Sequence, residues 1–246
     1  MDMKQIIVVG LATISAVIVS VGSGVHAAEV GSVTSDGKVK FIQQTSGDTN
    51  PSVNPLNPDQ PLDPAEGDTP YPGTGGPLSI DYASSFDFGT QEISAETKTY
   101  HAKLDKVRVG GEEIEVPNSV QVTDNRGNNA GWHLTVAQNG QLEDESNRTL
   151  AGAEIELTKG TVVTKTGSDI TPPTANQQIK LNPNGTAAIV MSAEEEQGMG
   201  KWVDKFGADN AAAADAITLT IPGKSAKYAD SEYATTLTWT LSDTPE

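Results

Sequence analysis

The sequence predicts an all-β protein: an antiparallel β-sandwich domain, preceded by a cleaved signal peptide and a disordered, proline-rich acidic linker. Three observations carry that expectation. From Leu78 onward, short stretches that alternate apolar and polar residues or are rich in β-branched ones recur between turn signals, without helical periodicity. Eight or more such stretches suit two packed sheets. The long connection from Leu142 to Ala153 suits a chain that crosses from one sheet to the other.

Residues 1–27 have the pattern of a signal peptide. Lys4 gives a positive start, Ile6 to Val21 is an apolar run, Gly22 and Gly24 break any helix, and Val25-His26-Ala27 offers small residues to a signal peptidase. Cleavage is expected after Ala27 or Ala28. The alternative is an uncleaved membrane anchor, since the run approaches the length of a short span. No other segment is long and apolar enough to cross a bilayer, so no stable membrane insertion is expected after cleavage. Residues 28–49 form a short segment in which Lys38-Val-Lys-Phe-Ile42 is either one strand or a flexible lead-in. Residues 50–77 hold eight of the fourteen prolines, and no Lys or Arg occurs between Phe41 and Thr97. Proline removes ladder donors and acidic side chains repel one another, so an extended linker is expected here.

Residues 78–246 form the expected domain. Its strands are placed at Leu78–Tyr82, Tyr100–Leu104, Ser119–Thr123, Trp132–Val136, Glu154–Thr158, Ala187–Met191, Ile217–Ile221 and Thr235–Leu241. Turns are expected at Asp124–Gly127, Asn139-Gly140, Asn182–Gly185 and Pro222-Gly223. The helix-like run from Asn210 to Ala216 is short enough to be a loop.

Charge and cysteine usage narrow the function. The chain carries 16 basic and 33 acidic residues, a net charge of −17, which repels phosphate backbones and argues against nucleic acid as a partner. It has no cysteine, which excludes disulfides, zinc-thiolate sites and a cysteine nucleophile. No metal-protease helix, nucleophile elbow, phosphate loop or cofactor fingerprint is present, so neither metal nor cofactor is expected. Glu112-Glu113-Ile-Glu115, Glu143-Asp144-Glu145 and Glu194-Glu195-Glu196 are the only basis for catalysis, as glycoside hydrolysis by paired acids. In so acidic a chain such clusters are expected as solvated faces, and the protein is read as a non-enzyme.

One motif occurs twice. Trp132-His-Leu134 and Trp239-Thr-Leu241 each place a Trp and a Leu on one face of a strand, with His133, Thr135, Thr238 and Thr240 on the other. Each pair either fills a core or meets a ligand. Asp124 and Arg126 lie in the turn before the first motif. They are read as an Asx-type turn with Gly127 at positive φ, the alternative being an ion pair that holds the approach of the Trp132 strand.

Val120-Gln-Val-Thr-Asp-Asn-Arg-Gly127 running into Gly131-Trp-His-Leu134, with Gln197-Gly-Met-Gly-Lys-Trp202 and Leu237-Thr-Trp-Thr-Leu-Ser-Asp-Thr-Pro245, resembles a WxL domain of Gram-positive bacterial surface proteins. Gly75-Gly-Pro-Leu-Ser-Ile-Asp-Tyr82 and Phe86-Asp-Phe-Gly89 extend the resemblance over roughly residues 73–246. It implies an extracellular location and non-covalent attachment to the cell wall, with peptidoglycan or another wall polymer as ligand. It also implies possible assembly with other surface proteins, including membrane-anchored ones. The absence of a sorting motif after Leu241 fits non-covalent attachment. Trp132, Leu134, Trp239, Leu241, Asp124 and Arg126 are the site residues carried by the motif.

Overall fold

In the computed structural model, which describes residues 33–45, 47–63 and 73–245, the apolar positions picked out by alternation face inward. The expected signal peptide and residues 64–72 of the expected linker lie outside the described residues. In chain order the strands are β1 (Val53–Asn54), β2 (Asn57–Pro61), β3 (Leu78–Ala83), β4 (Lys98–His101), β5 (Asp105–Val109), β6 (Glu112–Val116), β7 (Ser119–Asp124) and β8 (Trp132–Gln138). They continue with β9 (Glu154–Thr158), β10 (Gly160–Val163), β11 (Thr174–Ala175), β12 (Gln178–Lys180), β13 (Ala188–Ala193) and β14 (Gly200–Phe206). A single helical turn, α1 (Asn210–Ala213), precedes β15 (Ile217–Ile221) and β16 (Leu237–Ser242).

All pairings among the described residues are antiparallel. They build three four-stranded sheets, ordered β10-β14-β7-β3, β11-β13-β8-β16 and β12-β9-β15-β4, together with the hairpins β1–β2 and β5–β6. Val122 and Trp202 of the first sheet, Leu134 and Val136 of the second, and Leu157 and Leu219 of the third share one core. The link from Leu142 to Ala153 does carry the chain from the β8 sheet to the β9 sheet. The strand expected at Tyr100–Leu104 sits earlier, at Lys98–His101, and the Lys103 N–H donates instead to the Asp87 carbonyl (2.8 Å). The helix-like run does form a helical turn, capped by Asp209, whose carboxylate accepts from the Ala212 N–H (2.8 Å).

The expectation of an extended linker fails for residues 50–63. They form the β1–β2 hairpin, and Val53 is only 4% exposed. The Gln121 side chain of β7 acts as a surrogate strand: its Oε1 accepts from the Val53 N–H (2.8 Å) and its Nε2 donates to the Val53 carbonyl (2.7 Å). Prolines at 58 and 61 fit because β2 pairs on one side only. The alternating segment Lys38–Ile42 takes no regular structure, with Val39, Phe41 and Ile42 exposed. Among the described residues no helix is long and apolar enough to cross a membrane.

One buried group conflicts with the core. Trp202, Asp204 and Phe206 lie on one face of β14, and Asp204 is fully buried with no hydrogen bond to either carboxylate oxygen. Burial pushes its carboxyl up to about 8; the backbone N–H of Thr161 opposes the shift only weakly and without good hydrogen-bond geometry. Between the ordinary carboxylate range and about 8, the folded chain therefore holds one more proton at Asp204 than the unfolded chain. Stability from this group is greatest below the ordinary range and falls as pH rises, by up to about 1.4 kcal/mol per pH unit. Asp204→Asn is expected to flatten the stability profile between pH 5 and 7 by about that slope, read from urea melts of both proteins. Parallel profiles would show that Asp204 is not buried as a neutral acid.

Candidate functional site

The two motifs lie side by side. β16 pairs with β8 so that Leu241 faces Leu134 and Trp239 faces Val136, which puts both Trp-Leu pairs on the core side of one sheet. Their exposures differ. Trp132 and Leu134 are 0% exposed, whereas Trp239 and Leu241 are half-buried on the edge strand. The Trp132 indole N–H donates to the Gly198 carbonyl (3.1 Å). Gly198 has φ +70°, and a Cβ there would stand 2.8 Å from the indole nitrogen and 2.5 Å from the Ala193 Cβ, so only glycine allows the contact. The first motif is thus core packing.

Asp124 and Arg126 join the motifs from the β7 end. Asp124 Oδ1 accepts from the Arg126 backbone N–H (3.0 Å), and Gly127 has φ +71°, which is the expected Asx-type turn. The same two side chains also form a bidentate ion pair, Nε to Oδ1 at 3.0 Å and Nη2 to Oδ2 at 2.8 Å, with side chains 10% and 3% exposed. The guanidinium further donates to the carbonyls of Gly131 (2.6 Å) and Asp243 (3.1 Å). Gly131 precedes the first motif and Asp243 follows the second, so one largely buried cation holds both motif strands. The turn and the ion-pair readings both hold, and together they describe a structural clamp.

Beside the second motif the surface opens into a groove of about 1440 Å³, lined by Tyr82, Phe86, Tyr100, Tyr228, Tyr233 and Trp239, with Leu142, Ile155 and Leu219 beneath. Polar contacts fix its walls. The Tyr82 hydroxyl donates to Asp105 Oδ2 (2.8 Å), and Asn118 Nδ2 donates to Asp105 Oδ1 (2.8 Å). Burial raises the Asp105 carboxyl, and burial together with Asp105 raises the Tyr82 phenol strongly, so that phenol stays a neutral donor. On the other wall Arg148 packs 3.9 Å above the centre of the Tyr228 ring while Asp144 grips its guanidinium (2.6 Å). The Arg148 contact holds the Asp144 carboxyl down at about 2. Rigid aromatic faces over an apolar floor suit a ligand with both apolar and hydroxylated surfaces. Of the six site residues carried by the motif, only Trp239 lines this groove, joined by Tyr82 and Phe86 from the upstream stretches that resemble the family. Tyr228 and Tyr233 come from a segment that no local pattern marks.

Two of the three carboxylate clusters are solvated as expected, whereas Asp144 of the third is buried. Glu112, Glu113 and Glu115 are exposed on β6, and Glu194 to Glu196 are exposed beyond β13. No group of acidic or histidine side chains able to hold a metal ion occurs among the described residues.

Residues 28–245 match the WxL domain family, described as surface cell wall-binding. The chain belongs to the WxL family. It is a cell-surface protein, and WxL is a wall-binding domain rather than a catalytic one. The WxL match begins well before residue 78 and takes in the packed hairpin β1–β2. No curated protein and no solved structure gives a significant match.

Proposed function

We propose that this WxL domain retains the protein on the wall by holding peptidoglycan in the aromatic groove at Trp239. The observation that carries the reading is the asymmetry of the motifs: Trp132 is sealed in the core, while Trp239 opens onto a groove lined by further aromatic rings. Sugar rings present apolar faces that stack on such platforms, and their hydroxyls find donors and acceptors at the rim. The test is co-sedimentation of the purified chain with protein-free cell walls, for the parent and for Tyr228→Ala. The parent is expected in the pellet and the variant largely in the supernatant. Retention that requires extracted surface proteins would instead assign the groove to a partner protein.

Charge sets the conditions. Net charge −17 repels anionic wall polymers, and protonation near pH 4 to 5 reduces it. Wall association is therefore expected to strengthen on acidification and with added divalent cations. A monotonic fall in binding on acidification, with the fold intact by circular dichroism, contradicts this.

A further inference from the structure

Among the described residues, each edge strand of the three four-stranded sheets except β16 carries a feature that discourages pairing. β3 carries a bulge between Ile80 and Tyr82, and Thr74 takes both main-chain groups of Ile80. β4 carries Lys98 and β12 carries Lys180; β11 is two residues long and follows Pro172-Pro173; β10 is four residues, with its Gly160 carbonyl bound by the Gln177 side chain. Short length, bulges, lysine and proline are the means by which proteins keep edges from pairing. β16 has none of them. Leu237-Thr-Trp-Thr-Leu-Ser242 is six residues without charge or proline, in unbroken register with β8, its only ladder partner among the described residues.

The direction of its free groups follows from the register. The Asn139 N–H donates to the Thr236 carbonyl (2.9 Å), which makes that pair a hydrogen-bonded one, and such pairs alternate along an antiparallel ladder. Thr238 and Thr240 therefore spend their backbone groups on β8, while Leu237, Trp239 and Leu241 point theirs outward. The strand end is also fixed, because Arg126 holds the Asp243 carbonyl and His133 Nδ1 lies 2.7 Å from the Thr244 carbonyl.

Leu237-Thr-Trp-Thr-Leu241 reads the same in both directions. We propose that β16 pairs with β16 of a second copy, antiparallel about a two-fold axis at Trp239. A palindrome is self-complementary under that symmetry, and a closed two-fold contact uses the same patch on both copies. Trp239 then faces Trp239 of the second copy, Leu237 faces Leu241, and Thr238 faces Thr240. The outward groups of three residues per copy form about six main-chain hydrogen bonds. The β8 sheet becomes continuous across both chains, and the two Trp239 grooves meet at the axis, so that one wall strand engages two sites. The pairing is independent of which polymer fills the groove.

The chain lacks cysteine, so introduced thiols report the register directly. In the proposed ladder Thr238 and the second copy's Thr240 are a non-hydrogen-bonded pair, about 4.5 Å between Cα atoms, within disulfide reach. Full-length Thr238→Cys and Thr240→Cys chains, mixed under mild oxidation, are expected to give about tenfold more cross-linked dimer than either alone. In sedimentation equilibrium the parent should form dimers that tighten with salt, because each copy carries −17. Thr238→Lys/Thr240→Lys should be monomeric with an unchanged circular dichroism spectrum, and mixing it with Thr238→Glu/Thr240→Glu should restore dimers. A parent that stays monomeric at all concentrations and salt levels, open-ended oligomers, or equal cross-linking in the single-variant samples would overturn the proposal.

Discussion

Arg126→Met is expected to lower stability by about 3–5 kcal/mol, a large share of what a domain of this size has. The loss is more than one ion pair. Asp124 would remain buried without its cation, and the carbonyls of Gly131 and Asp243 would each lose a charged donor. Arg126→Lys should recover only part of the loss, because an ammonium cannot span both Asp124 oxygens and two carbonyls in one plane. A double-mutant cycle with Asp124→Ala separates the pair from the carbonyl contacts: if Arg126 acts only through Asp124, the second substitution adds nothing to the first. A clamp on two strand ends predicts a further loss from Arg126→Met even in the Asp124→Ala background. Urea melts of the four proteins decide it, and a single-variant loss below about 1 kcal/mol would mean that neither residue holds the motifs together.

The second large effect separates the motifs from each other. Trp132→Ala is expected to cost about 3–5 kcal/mol, since it empties a fully buried volume and leaves the Gly198 carbonyl without its donor. Trp239→Ala should cost about half as much, because the side chain is half-buried on an edge strand. Wall retention should change in the opposite order. Trp239→Ala is expected to release the chain from sedimented walls at temperatures where it is still folded. Trp132→Phe, which keeps most of the packing, should leave retention intact. Equal loss of retention for Trp239→Ala and Trp132→Phe, with both folded, would place the wall contact outside the groove.

Much of the fold was legible because two-residue periodicity is a local property. The buried and half-buried alternation along β8 matches the Trp-His-Leu-Thr-Val pattern residue by residue. The hairpin β5–β6 was also legible in principle: Gly110-Gly111, both at positive φ, joins two alternating stretches. Residues 50–63 were not legible. Val53 is buried because Gln121, far along the chain, supplies both hydrogen bonds that a neighbouring strand would have supplied. No composition rule for a proline-rich stretch contains that partner.

Local pattern alone, although it does not show β14 in the middle of its sheet, carries the all-β class, eight of the strands, the doubled Trp-x-Leu and the wall-surface family it marks. These rest on periodicity, turn chemistry and residue identity, which are written within a few neighbours. The packed fold makes the two motifs adjacent strands, ties them through Arg126, and seals one indole while the other lines a groove. A strand pattern fixes which face is apolar, but not whether that face ends up in the middle of a sheet or at its edge. β8 has a partner on both sides and β16 on one. That difference in neighbours gives two similar motifs different surroundings, one a packing role and the other an open surface.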